Sequence, residues 1–135
     1  MPSIPIGLKN EIHRRVTDDI AINFLGTEGA RVLGTPFLIM LLEMTSRDAI
    51  LPMLDPGFDS VGTDVSIRHL AATPMGMEVT FHSEVIEVKE RRVRFKVEAF
   101  DEREKIAEGT HERFVINVER FEQRLREKAA GNEHE

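Results

Sequence analysis

The chain has 135 residues, 41% hydrophobic and 31% charged, with a formal net charge of -6 and a pI near 5.4; that length supports one core and is short for two. The acidic balance argues against a nucleic-acid or anionic-membrane binder and leaves room only for a local basic pocket. Cysteine is absent, which removes disulfides, thiolate metal sites and cysteine nucleophiles; the N-terminal MPSIPIGLKN has no leader profile and no apolar run nears the ~18 residues of a membrane span, so a cytoplasmic protein is expected.

Weak alternation from Glu11 to Val16 predicts an edge strand. The segment AINFLGTEGARVLG is interrupted by Gly26, Gly29 and Gly34, which suggests a mobile connection that could serve as a lid or entrance. Thr35 followed by Pro36 reads as a helix cap and first turn, and the helix is expected to run from Pro36 to Leu51. Its stripe of Leu38, Leu41, Leu42, Thr45 and Ala49 is matched by Phe37, Ile39, Met40 and Met44 on the other side, the pattern of a helix buried on most sides.

From Ser60 the period is two, with Val61, Thr63, Val65, Ile67 and His69 on one face and Gly62, Asp64, Ser66 and Arg68 on the other. AATPMG interrupts the chain. Alternation resumes at Met77, Val79, Phe81, Ser83 and Val85, again at Val93, Phe95, Val97 and Ala99, and finally from Ile106 to Val118. Strands joined by short charged turns predict an antiparallel meander, and one buried helix against it is an α+β arrangement. The chain from Glu119, charged apart from Phe121 and Leu125, reads as a short surface helix that frays at its end.

Glu43 stands in an apolar run, where an isolated charge is costly and needs a partner, water or a proton. His69, pointing with the aliphatic set of the next element, is the economical partner. Such a pair could activate water or a carbonyl; a structural hydrogen bond is the alternative. Thr35 is explained by capping alone, and Gly62 marks either a bulge or a close approach of a ligand to the backbone. His111 and Arg113 share one side of the last strand, opposite Thr110, Glu112 and Phe114; they could meet an anion, but a solvated face is the expectation. His13, His82 and His134 sit among charges and read as solvated, no histidine pair has zinc spacing, and the methionines read as core filler.

The stretches VLGTPFLIMLLE, VGTDVSIRHLAATPMGMEV and EGTHERFVI, in this order, resemble the hot-dog-fold thioesterases related to fluoroacetyl-CoA thioesterase, over Glu11 to Phe121. The resemblance implies a long central helix wrapped by an antiparallel β-sheet in a domain over 1–121, with a charged tail over 122–135. It also implies a homodimer built on a continuous sheet, with a dimer of dimers as a further assembly. The activity implied is hydrolysis of a small acyl-CoA at the dimer interface, with coenzyme A as part of the substrate and no separate cofactor or metal. The family's catalytic threonine, glutamate and histidine fall on Thr35, Glu43 and His69, its glycine near the thioester on Gly62, and its basic residue on Arg113. One departure concerns the substrate: the family's lid phenylalanines have no counterpart in Gly26 to Gly34, which argues against fluoroacetyl-CoA.

Eight residues separate Thr35 from Glu43, on the order of 12 Å along a helix and not on one face. Either the chain folds back before the helix, or the site combines two subunits; the second is the expectation. Glu43 could be the nucleophile or the partner of His69. The other classes carried forward are a non-catalytic acyl-CoA or small-ligand binding dimer and a hydratase acting on enoyl-CoA.

Overall fold

Alternating apolar residues build five strands: β1 (Lys9–Arg15), β2 (Phe58–His69), β3 (Glu78–Lys89), β4 (Arg92–Phe100) and β5 (Lys105–Asn117). The computed structural model describes residues 3–131. The strands form one antiparallel sheet in the order β1-β3-β4-β5-β2. The expected meander therefore holds for β3, β4 and β5 only. After β2 the chain crosses to the far side of the sheet, so β1 and β2 become its two edges.

Val79, Phe81, Val85, Val93, Phe95, Val97 and Ala99 are all buried, as their two-residue period requires. Over this face lies α1 (Thr35–Ile50), which continues into a single 3-10 turn at Leu51–Met53. Proline in its first turn loses no helical hydrogen bond there. Leu38, Leu41, Leu42, Thr45 and Ala49 face the sheet and are buried; each fully buried leucine contributes roughly 1.5–3 kcal/mol relative to exposure. Two hydroxyls reach the same interior without being orphaned: Ser46 donates to the Leu42 carbonyl and lies 2.7 Å from the Ser83 hydroxyl. The opposite side of α1 is more open than its composition suggests, because Met40 and Met44 remain 43% and 46% exposed. They are surface rather than core filler.

The glycine-rich connection before α1 is tied down by one side chain. Arg31 is buried, and its guanidinium donates to the carbonyls of Asp18, Ala21 and Ile22 and to the Asp18 carboxylate. Backbone bridges Ala21↔Leu33 and Val32↔Pro74 hold the rest. Only the tip stands out, with Phe24 76% exposed. The glycine count alone pointed to a mobile segment; the arginine's bonds to three carbonyls make it a pinned one.

Asn117 ends β5 and caps α2 (Val118–Ala129), its side-chain oxygen accepting from the Arg120 amide at 3.0 Å. The boundary expected at 121 falls within α2, and the end of the tail, for which fraying is expected, lies with His134 outside the described residues. His13 and His82 flank Glu11 on the outer face of β1 and β3, at 2.8 and 3.3 Å from its carboxylate; His13 is exposed and His82 half-buried, both outside the core. Among the described residues no helix is long and apolar enough to cross a membrane.

The two-residue turn between β3 and β4 holds Glu90 at φ 57, a left-handed conformation that a side chain resists. Glu90→Gly is therefore expected to stabilise the fold by about 1 kcal/mol. A thermal melt of the variant that is unchanged or lower than the parent would show the turn is not strained.

Candidate functional site

Thr35 is the first helical residue, and Gly34 occupies the cap position, with no side-chain cap bond at that end. The threonine hydroxyl instead lies 2.8 Å from Nδ1 of His69, at the far end of β2. The capping explanation of Thr35 is thus overturned: a helix that begins one residue earlier frees the hydroxyl to reach across to the strand. The other ring nitrogen of His69, Nε2, is buried and has no hydrogen-bond partner among the described residues. A buried polar atom without a partner is unusual enough to need a reason. Burial pushes the His69 pKa below its ordinary 6.5, offset in part by the Ala71 backbone, so the ring is neutral near pH 7 and able to take a proton. A groove of about 430 Å³ opens beside the pair, walled by Ile22, Phe24, Val32 and Leu70.

Glu43 lies two helical turns further along α1, against a different part of β2. Its Oε1 is 3.5 Å from Nη1 of Arg113 and 3.9 Å from Nε2 of His111. It also fills the space above Gly62, where a Cβ would come within 2.5 Å of the same oxygen. Arg113 is 5% exposed and fully engaged: Nε donates to the Ser60 hydroxyl and Nη2 to the Ser60 carbonyl, each at 2.7 Å, and Nη1 points to Nε2 of His111 at 3.2 Å. The tautomer of His111 follows from its neighbours. The Asp64 carbonyl can only accept, so Nδ1 carries the proton at 2.9 Å; the guanidinium can only donate, so Nε2 is the acceptor. The ring is neutral, in line with a pKa lowered first by burial and further by the Arg113 charge. Arg113 is itself lowered by burial, an effect opposed by Glu43 and Asp59. Glu43 is therefore placed by a buried cation, with a neutral imidazole supporting that cation.

A single β-bulge arranges both groups. Unbroken alternation puts Gly62 and His69 on opposite faces. The register of β2 against β5 shifts between Gly62 and Asp64, so that Gly62 pairs with Arg113 while Val65 pairs with His111 and His69 with Ala107. Residues directly opposite in an antiparallel pair share a face. One extra residue at Thr63 thus turns Gly62, Val65, Ile67 and His69 all toward α1. The continuous alternation read from Val61 to His69 fails at this point, and the bulge reading of Gly62 holds.

Two other expectations change. Within one chain Glu43 and His69 are not partners: Glu43 has Arg113, and His69 has Thr35. The reason is the antiparallel run of α1 along β2, which matches Thr35 to His69, Glu43 to Gly62 and Arg47 to Asp59. His111 and Arg113 are buried rather than solvated. Their phase with Ala107 and Val115, both fully buried, was the signal that placed them inside. Ser60 and the Asp64 carbonyl, which hold Arg113 and His111, carried no sequence signal of their own.

A family model described as fluoroacetyl-CoA-specific thioesterase matches residues 16–119. The fluoroacetyl-CoA thioesterase of Streptantibioticus cattleyicolor is 41% identical over 101 residues, covering 75% of this chain and 73% of that protein. A solved structure of the fluoroacetyl-CoA thioesterase FlK superposes with a TM-score of 0.85 at 33% identity, over 93% of this chain and 98% of the other. A Thermus thermophilus thioesterase superfamily member superposes with a TM-score of 0.88 at 27% identity over the whole of both chains. The five-stranded antiparallel sheet around one long helix is the hot-dog fold, and the chain belongs to the fluoroacetyl-CoA thioesterase family of thioester hydrolases.

Proposed function

We infer that two copies of the chain combine their half-sites to hydrolyse a small acyl-CoA thioester. The observation that carries this reading is the division of the site: Thr35 with His69 at one end of α1, Glu43 against Gly62 two turns away, and a buried Nε2 on His69 with no hydrogen-bond partner among the described residues. The partner subunit's Glu43 would complete the pair. β2 offers the means of assembly, since residues 62–66 of this edge strand are exposed and carry neither lysine nor proline to discourage pairing. Val65, Met40 and Met44 leave apolar surface beside it. Edge-to-edge pairing of β2 makes one continuous sheet across a two-fold axis.

In that site the thioester carbonyl oxygen accepts from the Gly62 amide, which lies where a side chain is excluded. His69 takes a proton from water as it adds to the carbonyl carbon. The tetrahedral intermediate then collapses, the carbon–sulfur bond breaks, and the thiolate leaves and is protonated by His69. Thr35 holds the imidazole through Nδ1. Glu43, fixed by Arg113, orients the attacking water or attacks in its place, giving an anhydride that water then opens.

A thiol-release screen across acyl chain lengths tests this reading. Release of coenzyme A from short acyl thioesters is expected. A non-hydrolysable acyl-CoA that binds while no thioester is cleaved would instead make the protein a binding module. Loss of enoyl absorbance without free thiol would make it a hydratase.

A further inference from the structure

The described part of this acidic chain concentrates unpaired cations at one place. Arg91, in the turn between β3 and β4, and Arg120 and Arg124, four residues apart on one face of α2, line a groove of about 320 Å³ together with Asn117 and Gln123. No carboxylate lines it. None of the three arginines has a carboxylate in ion-pair reach among the described residues, whereas the neighbouring Arg126 is paired with Glu122 at 3.0 Å and Arg94 lies near Glu87 and Glu112. Arg91 also borders a second groove with Lys89 and Arg92, where Glu90 is the one acidic wall.

We propose that this groove binds the phosphates of the coenzyme A nucleotide, with Arg91, Arg120 and Arg124 supplying the counter-charge. The proposal rests on the acyl-CoA reading above and adds to it where the nucleotide end lies. Three guanidiniums on one groove fit phosphate oxygens, which they bind in a fork geometry. The need is electrostatic: a chain with a net charge of -6 repels a polyphosphate unless cations are gathered locally. The span agrees as well. Asn117, at the groove, pairs with Phe58, four residues along β2 from Gly62, on the order of 13 Å at the rise of a strand. The pantetheine arm between sulfur and phosphate has about as many backbone bonds as four extended residues, on the order of 14 Å. A thioester at Gly62 thus places its phosphates at α2.

Two variants, R91E and the double R120E/R124E, test the site on exposed side chains that no catalytic step uses. Michaelis constants for an acyl-CoA and for the same acyl group on pantetheine are compared, and adenosine 3′,5′-bisphosphate binding is followed by calorimetry. The double variant is expected to raise KM for acyl-CoA about tenfold with kcat unchanged, to weaken bisphosphate binding alike, and to leave acyl-pantetheine hydrolysis unaffected. Unchanged KM and bisphosphate affinity in both variants would overturn the proposal, as would an equal loss with acyl-pantetheine. Inorganic phosphate binding as tightly as the bisphosphate would overturn the nucleotide assignment. A parent protein that cleaves neither thioester yet binds the bisphosphate at these arginines would remove the hydrolase reading and leave the site standing.

Discussion

Replacing His69 by alanine is expected to lower kcat at least a hundredfold, roughly the contribution of a positioned general base. Thr35→Val, which keeps the shape but removes the hydroxyl 2.8 Å from Nδ1, should lower it less, by about tenfold, because the ring loses its orientation rather than its chemistry. The pH profile carries the same claim. Burial holds the His69 pKa below 6.5, and a general base works in its deprotonated form. The acid limb of kcat/KM is therefore expected below pH 6.5, with a plateau above it, and should vanish in H69A. An acid limb centred above 6.5 would contradict a neutral buried imidazole. Stability follows the same protons. His69 and His111 are both lowered by burial, so below 6.5 the unfolded chain binds protons that the folded chain does not. Folding stability is then full above pH 6.5 and falls as the pH drops from there toward the lowered folded values. Asp59 and Glu98, both lowered by cationic partners, add their losses only beneath their unfolded values of 3.8 and 4.5. Urea midpoints at pH 7.5 and pH 5.5 thus isolate the histidines, and equal midpoints would rule out their neutral burial.

Glu43→Ala is the second large effect, again at least about a hundredfold in kcat if the carboxylate attacks or orients water. Its cost in stability is a separate matter. Removing one partner of a fully buried pair costs about 3–5 kcal/mol, but Glu43 is 37% exposed, and solvent screening reduces the expected loss to about 1 kcal/mol. Gly62→Ala separates position from chemistry. The new methyl would lie 2.5 Å from Oε1 of Glu43 and 3.2 Å from the His111 ring. The carboxylate is the end of a flexible side chain, so it swings away, and the folding cost is that of loosening the Arg113 pair, about 1 kcal/mol as in Glu43→Ala. Turnover should fall at least about tenfold while the melting temperature drops no more than in Glu43→Ala. Parent-like turnover in both variants would remove Glu43 from the reaction.

Much of this was legible in the sequence because it depends on local period. The alternation of β3 up to Val85 and of β4 from Val93 to Ala99 is regular, and Val79, Phe81, Ser83, Val85, Val93, Phe95, Val97 and Ala99 are all buried; the bulge between Val85 and Glu87 is the break in β3. The stripe on α1 was equally plain. What escaped was set by a single inserted residue and by direction. Alternation cannot register a bulge at Thr63, since its only trace is that Gly62 and His69 stand seven apart and yet both face the helix. Nor does a helix reveal which way it runs along a strand, and that direction gives Thr35, not Glu43, to His69. The resemblance pointed to Thr35, Glu43 and His69 as a set. It could not say which of them meet within one chain.

That division of the site is most directly tested by mixing two inactive chains. Co-expressed H69A and E43A chains pair at random, and about half of the dimers then carry one of each. If each site takes His69 from one subunit and Glu43 from the other, such a dimer has one doubly defective site and one intact site. Activity should return to about a quarter of the parent level, although either variant alone is inactive. If each chain instead builds its own complete site, every site in the mixture lacks one group. Activity that stays at the level of the single variants, with mixed dimers shown to be present, would contradict a site shared between subunits.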